Sequence, residues 1–382
     1  MPVTIRVLSH SKTLLEIEDS WNKFIHRYSK NPFFFSEFIK QSMKFRRSNA
    51  ETPLILVISA NNLIIGIVPL IVKKKVGVRF AEFLLENLFS PDFVTDTQYQ
   101  ETCITHTLEF LFKTLKCHFI TLILPAESPN LQILEQKCKA NRVHFDITPN
   151  TGHYVLPIQH TWDEYKALRS KNFRRKFKRY TRNLNRAGSW RILTFEHETE
   201  EVEAFKKILY IERRSWKEKW RIRRRLKIDP DLLLIWKGAN YVARTEPDFK
   251  WRVWILELND QPLAYGLILQ YKEGAFFMKT SYDERYKSFY PGIYVENAAV
   301  RDLFNEGQVK MIDFITDLAF HRNWTSIRRP RVKVMMSQNS VLLTMMKHIY
   351  NAYTKATIPM FLKNIMKHSI SPIGLPLELI DN

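Results

Sequence analysis

A chain of 382 residues with 45% hydrophobic residues, 13% aromatics and only 10 glycines has ample material for buried cores and is long for one domain, so two compact units are expected and disorder, collagen-like repeats and a single small module are excluded. Its 59 Lys and Arg against 39 Asp and Glu give a formal net charge of +20, which predicts an anionic partner and says nothing about fold. No apolar run reaches membrane-spanning length, the N-terminus lacks the basic-then-apolar order of a signal peptide, and Cys103, Cys117 and Cys138 form no C-x-x-C pair, so a cytoplasmic protein with reduced, buried thiols, no transmembrane segment and no zinc site is expected.

In chain order, a helix is predicted over about residues 12–28, with Asn31-Pro32 as a break and a second helix after Ser36. LILVIS and LIIGIVPLIV read as strands joined through Ala60-Asn61-Asn62, a good turn sequence. THTLEFLFKTLK reads as helix, HFITLIL as strand and LQILEQKCKANR as helix, closing a first α/β unit near residue 150. HYVLPI opens the second unit as a strand, followed by a basic helix over 171–186 that Gly188 stops, and by the strand RILTFE. A single long helix is then predicted from the acids at Glu196–Glu203 to RIRRRLK, an order that complements the helix dipole. WRVWILEL, LAYGLILQ and AFFMKTSY form an antiparallel meander turning at Asn259-Asp260 and Glu273-Gly274. Tyr290-Pro291-Gly292 opens a helix that Gly307 closes, and KMIDFIT is the next strand. The fold class is therefore mixed α/β (α+β), with domains at 1–150 and 151–335 and a C-terminal helical extension over 336–382. That extension, VLLTMMKHIYNAY then IPMFLKNIMKH, is Met-rich, basic and amphipathic; it either packs on the second domain or touches an anionic membrane surface or a partner.

The charge is concentrated. Residues 165–195 hold eleven Lys or Arg and no acid, and residues 213–227 hold nine against Glu218 alone. In the first run Phe173, Phe177, Tyr180 and Leu184 make one helical stripe, leaving Arg174, Arg175, Lys178 and Arg182 on the rest of the circumference. Uncompensated like charge repels itself, so this helix is expected to bind phosphates or another anion; a solvated face arranged for helix stability is the alternative. Trp190, Trp216 and Trp220 near the basic runs stack on a base or serve in packing.

These residues resemble the CelD-like (cellulose-biosynthesis type) acetyltransferase domain of the GNAT superfamily, related to FemAB-type peptidyltransferases. The likeness is carried, in order, by Trp21 and Asn31-Pro32-Phe33-Phe34; Ile65-Gly66-Ile67-Val68-Pro69-Leu70; Ser90-Pro91-Asp92-Phe93 to Asp96; Asn172-Phe173-Arg174-Arg175-Lys176; Ser215-Trp216 with Lys217 and Lys219; Leu263-Ala264-Tyr265-Gly266; Tyr282-Asp283; Pro291-Gly292; and Asp313-Phe314. The chain departs from the family pattern at Asp317, at His321-Arg322, which replace a Tyr-Lys pair, at Trp324, and in lacking the Q/R-x-x-G-x-G/A loop. The resemblance implies two tandem GNAT-like domains, each a mixed, mostly antiparallel sheet flanked by helices, and an N- or O-acyltransferase using acetyl-CoA or another acyl-CoA.

Such an enzyme need not supply a nucleophile, because the acceptor attacks the thioester itself; it orients two substrates, stabilises an oxyanion and manages one proton. By the resemblance, Pro291, Gly292, Ile293 and Tyr294 at a helix start would hold the donor's pyrophosphate, with Arg322 nearby, and Asn172, Arg174, Arg175, Lys178, Arg182 and Trp216 would form the anion surface. Asp283, Glu296, Asp313 and His321 are the candidates for proton handling, with structural alternatives beside them: a turn cap for Asp283, a carboxylate on backbone amides for Asp313, a surface or otherwise satisfied residue for His321. No His, Cys or acidic cluster has metal-ligand spacing, and neither G-x-S-x-G nor a P-loop is present. The competing readings are a FemAB-like aminoacyl-tRNA-dependent transferase, an acyl carrier protein as donor, and a non-catalytic RNA-binding protein on a GNAT scaffold.

Overall fold

The computed structural model describes residues 2–46, 51–75, 77–85, 91–218, 222 and 228–354. The chain divides into two compact units: the first takes the residues up to Ser29, Phe33–Gly152 and the chain from Arg329 onward, the second Lys30–Pro32 and His153–Arg328.

The first unit is a sheet of β1 (Val3–Leu8), β2 (Glu51–Ala60), β3 (Leu63–Lys75), β4 (Val78–Phe83) and β6 (Phe119–Pro125) in that spatial order, with the short β5 (Val94–Thr95) on β3. Neighbours are antiparallel except β4 and β6. Asn61 and Asn62 take φ 50° and 63°, the mirror-image turn that matches strand twist, as their types predict. Helix is broken where one run was expected: α1 (Ser11–Leu14), a 3-10 turn at Leu15–Ile17, then α2 (Glu18–Tyr28), because Ile17 adopts φ −125°, ψ 13° and α2 restarts with Glu18 and Asp19 in its first turn. After α3 (Ser36–Arg46), α4 (Gln100–Glu109) and α5 (Pro129–Ala140) lay Ile104, Leu108 and Leu134 on Leu54, Leu56, Val68 and Leu70 to build the core. Cys103, Cys117 and Cys138 are free and buried there, and burial pushes their thiols up to about 12, 11 and 12.

β7 (His144–Pro157) carries the chain into the second unit, where α6 (Trp162–Leu168), α7 (Lys171–Ala187), β8 (Trp190–Phe195), α8 (Glu201–Glu212) and α9 (Pro230–Thr245) precede the meander β9 (Phe249–Leu258), β10 (Gln261–Tyr271) and β11 (Gly274–Tyr282). α10 (Pro291–Glu306) and β12 (Met311–Asp313) complete it. The strand order is β7-β12-β11-β10-β9-β8, antiparallel throughout except β11 with β12. Val295, Ala299 and Leu303 of α10 pack with Ala264, Ile268 and Phe277 on one face, joined by Tyr165, Phe173 and Leu184 of α6 and α7. On the other face Tyr265 donates to Glu212 of α8 at 2.6 Å, and Trp236 of α9 meets Trp251 at 5.0 Å. Both units are mixed, mostly antiparallel sheets flanked by helices, the expected class.

Three local expectations change. The acidic helix closes at Glu212, where Ser215 Oγ donates to the Glu212 carbonyl and accepts from Lys217 N; RIRRRLK, Lys219 and Trp220 lie outside the described residues except Ile222, as do Ser90 and IPMFLKNIMKH. KMIDFIT is strand only over Met311–Asp313, because Ile315 takes a positive φ of 52° and turns the chain. Finally, β13 (Arg328–Ser337) pairs residues 331–336 with β6, and α11 (Ser340–Thr354) buries Leu343 against Phe80, Phe119 and Met335, so this amphipathic helix packs within the first unit, where packing against the second domain was expected.

Candidate functional site

The only parallel ladder among the described strands of the second unit is short. β11 and β12 pair over Gly274↔Met311, Ala275↔Ile312 and Phe276↔Asp313; β11 then runs on to Tyr282 while the other chain turns away after Asp313. Just past the parting, β11 carries a bulge: Leu267 of β10 faces Lys279 and Ile268 faces Phe277, leaving Met278 over. A bulge beside parting strands re-aims side chains and leaves backbone groups for a ligand. Lys279, at the bulge, is pinned by an ion pair of 2.7 Å to Asp229, the cap of α9.

The diverging chain is tightly held. Asp313 Oδ1 accepts from Ile315 N at 2.7 Å, Thr316 N donates to the Phe314 carbonyl, and the Thr316 carbonyl accepts from Tyr154 N at 3.1 Å. Ile315 between them is β-branched with left-handed φ, a conformation costing about 1–3 kcal/mol that the surroundings must impose. This turn presents Thr316, half-buried, at the head of a polar row. Thr316 Oγ1 lies 3.0 Å from His321 Nε2, and His321 Nδ1 lies 3.2 Å from Glu296 Oε1 on α10. The imidazole is 3% exposed and the carboxylate 1%. Phe314 stacks on the imidazole at 4.5 Å, excluding water from its face. His321 and Glu296, named from sequence, are thus adjacent; Thr316 was passed over because KMIDFIT reads as an apolar strand, and its one signal is the polar end of that run five residues before a histidine.

α10 begins at the end of the same strand. Its first-turn amides at Gly292 and Ile293 have no acceptor within the helix, and Pro291 has no N–H to leave unpaired. Gly292 faces the strand: a Cβ there would meet Tyr282 Cδ1 at 3.3 Å and Thr280 Oγ1 at 3.8 Å, so the glycine lets helix and strand approach. α7 lies alongside. Tyr180 stacks on Tyr290 at 4.6 Å, Thr181 Oγ1 and Tyr294 OH are 3.3 Å apart, and Trp190 meets Tyr294 edge-on at 5.2 Å. Arg179 sits over both Tyr180 and Tyr290, which puts a cation beside the start of α10; charge counting alone did not single it out. α7 packs its apolar stripe on Trp324, 5.5 Å from Phe173 and 5.9 Å from Phe177. The opposite side exposes Lys171, Asn172, Arg175, Lys178, Arg182 and Arg186, and no ion pair engages these cations among the described residues. Arg174 is half-buried and donates to the Ala167 carbonyl at 2.8 Å.

The remaining sequence candidates stand apart from the polar row. Asp283 is fully buried and binds Arg285 through its side chain and amide; burial raises its carboxyl, but the Arg285 bonds outweigh that and hold it below the usual carboxylate range. Asp313 spans Ile315 N and His153, whose Nε2 is 3.1 Å from Oδ2. Both acids hold turns. Arg322 donates to Tyr154 OH at 2.8 Å, and Trp216 is 47% exposed with Lys217 over its ring. Among the described residues no cluster suited to a metal ion occurs, and no helix is long and apolar enough to cross a membrane.

Residues 171–322, the stretch holding α7, the fork and the polar row, match the acetyltransferase (GNAT) domain family. Among solved structures the chain is similar to FemX, at 12% identity and TM-score 0.54 over 90% of this chain and 99% of that one. It is also similar to L-PGS from Bacillus licheniformis, at 8% identity and TM-score 0.52 over 89% and 97%. No curated protein matches it by sequence. The second unit therefore carries a GNAT acetyltransferase domain, and the protein is an acyltransferase.

Proposed function

We propose that the second unit transfers an acyl group from acyl-CoA, acetyl-CoA in the simplest case, to the amine or hydroxyl of an acceptor. The observation that carries this reading is the fork: two parallel strands paired over three residues and then parting, with a helix start at the end of the longer one. A thioester lying along the unpaired edge of β11 finds backbone groups to bond, and its phosphates find the Gly292 and Ile293 amides of α10, flanked by Pro291 and Tyr294, at the positive end of a helix of 16 residues. Arg179 and the cations of α7 supply opposite charge beside them. His321, oriented by Glu296, is the group able to take the proton an attacking acceptor loses. Asp283 and Asp313 shape the two turns and Arg322 fixes Tyr154. The ordered motifs from Trp21 to Asp313-Phe314 support the CelD-like branch in particular.

One observation favours a second reading. Arg175, Lys178 and Arg182, with Lys171 and Arg186, form an exposed, unpaired stripe along α7, which suits an aminoacyl-tRNA donor of the FemAB type, bound RNA, or an acidic carrier protein. Thermal shift of the full chain with CoA, acetyl-CoA and bulk tRNA at low and moderate salt separates them. A CoA donor predicts a shift with CoA species that survives moderate salt; a shift with tRNA alone that vanishes with salt overturns it.

A further inference from the structure

We propose that Lys217 is a catalytic residue of the transfer: its ammonium binds the donor's acyl carbonyl oxygen at the open edge of β11 and stabilises the charge that builds there as the acceptor attacks. The inference rests on the acyl-CoA reading and names a further residue of its site. Three observations carry it. The first is where the ammonium stands. Asp283 N donates to the Leu263 carbonyl of β10 at 2.8 Å, and successive residues of a strand point their amides and carbonyls to opposite sides. Those of Thr280 and Tyr282 therefore point away from β10, beyond Phe276 where the ladder with β12 ends, and both residues are half-buried. Lys217 Nζ donates to the Thr280 carbonyl at 3.2 Å, which puts a cation on that edge beside its outward amides. The second is capacity. An ammonium has three N–H groups, and the acceptors of Lys217 Nζ among the described residues are the Thr280 carbonyl and Glu212 Oε1, the latter at 3.4 Å and bound more closely by Tyr265 at 2.6 Å. With the side chain 19% exposed, one N–H is left for a ligand. The third is anchorage. Glu284 N donates to the Arg214 carbonyl at 3.0 Å and Ser215 Oγ accepts from Lys217 N, so the segment carrying the lysine is tied to the end of the same strand.

In the step this serves, the acceptor's lone pair forms a bond to the acyl carbon and one electron pair of the C=O bond moves onto oxygen, beside Lys217 Nζ and an outward amide of β11. The acceptor's proton passes to His321. The C=O bond then re-forms as the C–S bond breaks, and the thiolate takes that proton, so transfer is direct and Lys217 stays protonated throughout. A fixed charge aimed at the developing oxyanion needs no reorganisation at the moment of reaction. Charge-assisted hydrogen bonds are roughly twice as strong as neutral ones, so the ammonium supplies about two-thirds of the pull on an oxygen that it shares with one amide.

The test reads the bound donor directly. Acetyl-CoA isotope-labelled at its acyl carbonyl carbon is added to the full chain and its carbonyl stretch is recorded by infrared difference spectroscopy, alongside thermal shifts with CoA, which has no acyl carbonyl. The expected result is a band below the free-solution frequency in the parent and in Lys217→Arg. Lys217→Met and Lys217→Gln lose about two-thirds of that downshift, while their thermal shifts with CoA match the parent's. Loss of the CoA shift together with the band makes the lysine structural and overturns the inference. An equal downshift in the parent and both neutral variants overturns the role of Lys217 and leaves the acyl-CoA reading standing. No bound band and no CoA shift in the parent overturns the acyl-CoA reading, and this inference with it.

Discussion

Replacing Asp229 probes the strand on which the donor is proposed to lie. Its Oδ2 is 2.7 Å from Lys279 Nζ at the β11 bulge, and its Oδ1 accepts from Asp231 N at 3.0 Å, capping α9. The two side chains are 12% and 18% exposed. Removing one partner of a largely buried pair costs about 3 kcal/mol or more, and losing a cap costs about 1 kcal/mol. Asp229→Asn keeps the cap and loses the charge, so it is expected to cost about 3 kcal/mol, and Asp229→Ala about 4 kcal/mol. At roughly 2–4 °C per kcal/mol for a unit of this size, Asp229→Ala lowers the melting temperature of the second unit by about 10 °C. Differential scanning calorimetry of the full chain reads this directly. pH supplies a second signature. Burial raises the Asp229 carboxyl, but Lys279, Lys217 and the Asp231 amide together hold it below the usual carboxylate range. An acid depressed in the folded state contributes stability that is complete above the unfolded value of about 3.9 and lost as pH falls through the lower folded value. The gap between the parent and Asp229→Asn is therefore constant from neutral pH to about pH 5 and narrows below about pH 4. Equal melting of Asn, Ala and parent, or a gap that widens in acid, refutes the reasoning.

Other outcomes follow from the same contacts. Trp324→Ala removes a fully buried ring under Phe173 and Phe177 and is expected to cost about 3–5 kcal/mol, loosening α7; urea denaturation followed by far-ultraviolet circular dichroism checks it. The triple change of Arg175, Lys178 and Arg182 to Ala leaves the fold intact, since these side chains are exposed and unpaired; if tRNA binds, the slope of log affinity against log salt falls by about 2 in a filter-binding titration. Gly292→Ala is expected to cost under about 1 kcal/mol and Gly292→Val about 1–3 kcal/mol, because the added atoms press on Tyr282, as a thermal melt without ligand would record.

Periodicity and turn chemistry carried most of the secondary structure. α7 and its Gly188 stop, the Asn61-Asn62 and Asn259-Asp260 turns at positive φ, and α10 between Pro291 and Gly307 are local features written in neighbouring residues. What failed is one local contact and several non-local ones. The long acidic-to-basic helix ends at Glu212 because Ser215 bonds the last turn, which charge order does not foresee. The amphipathic stripe of α11 shows that a face is buried but not on which unit, and the answer, Phe80 and Phe119, lies more than two hundred residues upstream. The site was half legible. His321 and Glu296 could be named as titratable groups, yet their adjacency depends on packing between a helix and a turn, and Thr316 drew no notice because hydroxyls are common. The approach of Tyr282 to Gly292 joins a strand to a helix start and is not written in the local sequence.

Hydrogen–deuterium exchange of the full chain with and without CoA reads out where the donor lies. Slowed exchange is expected only in peptides covering residues 277–282, 290–296 and 314–321, the two arms of the fork and the helix start beyond it. Slowed exchange elsewhere with none in these three segments, or no change at CoA concentrations that stabilise the protein, would contradict this placement.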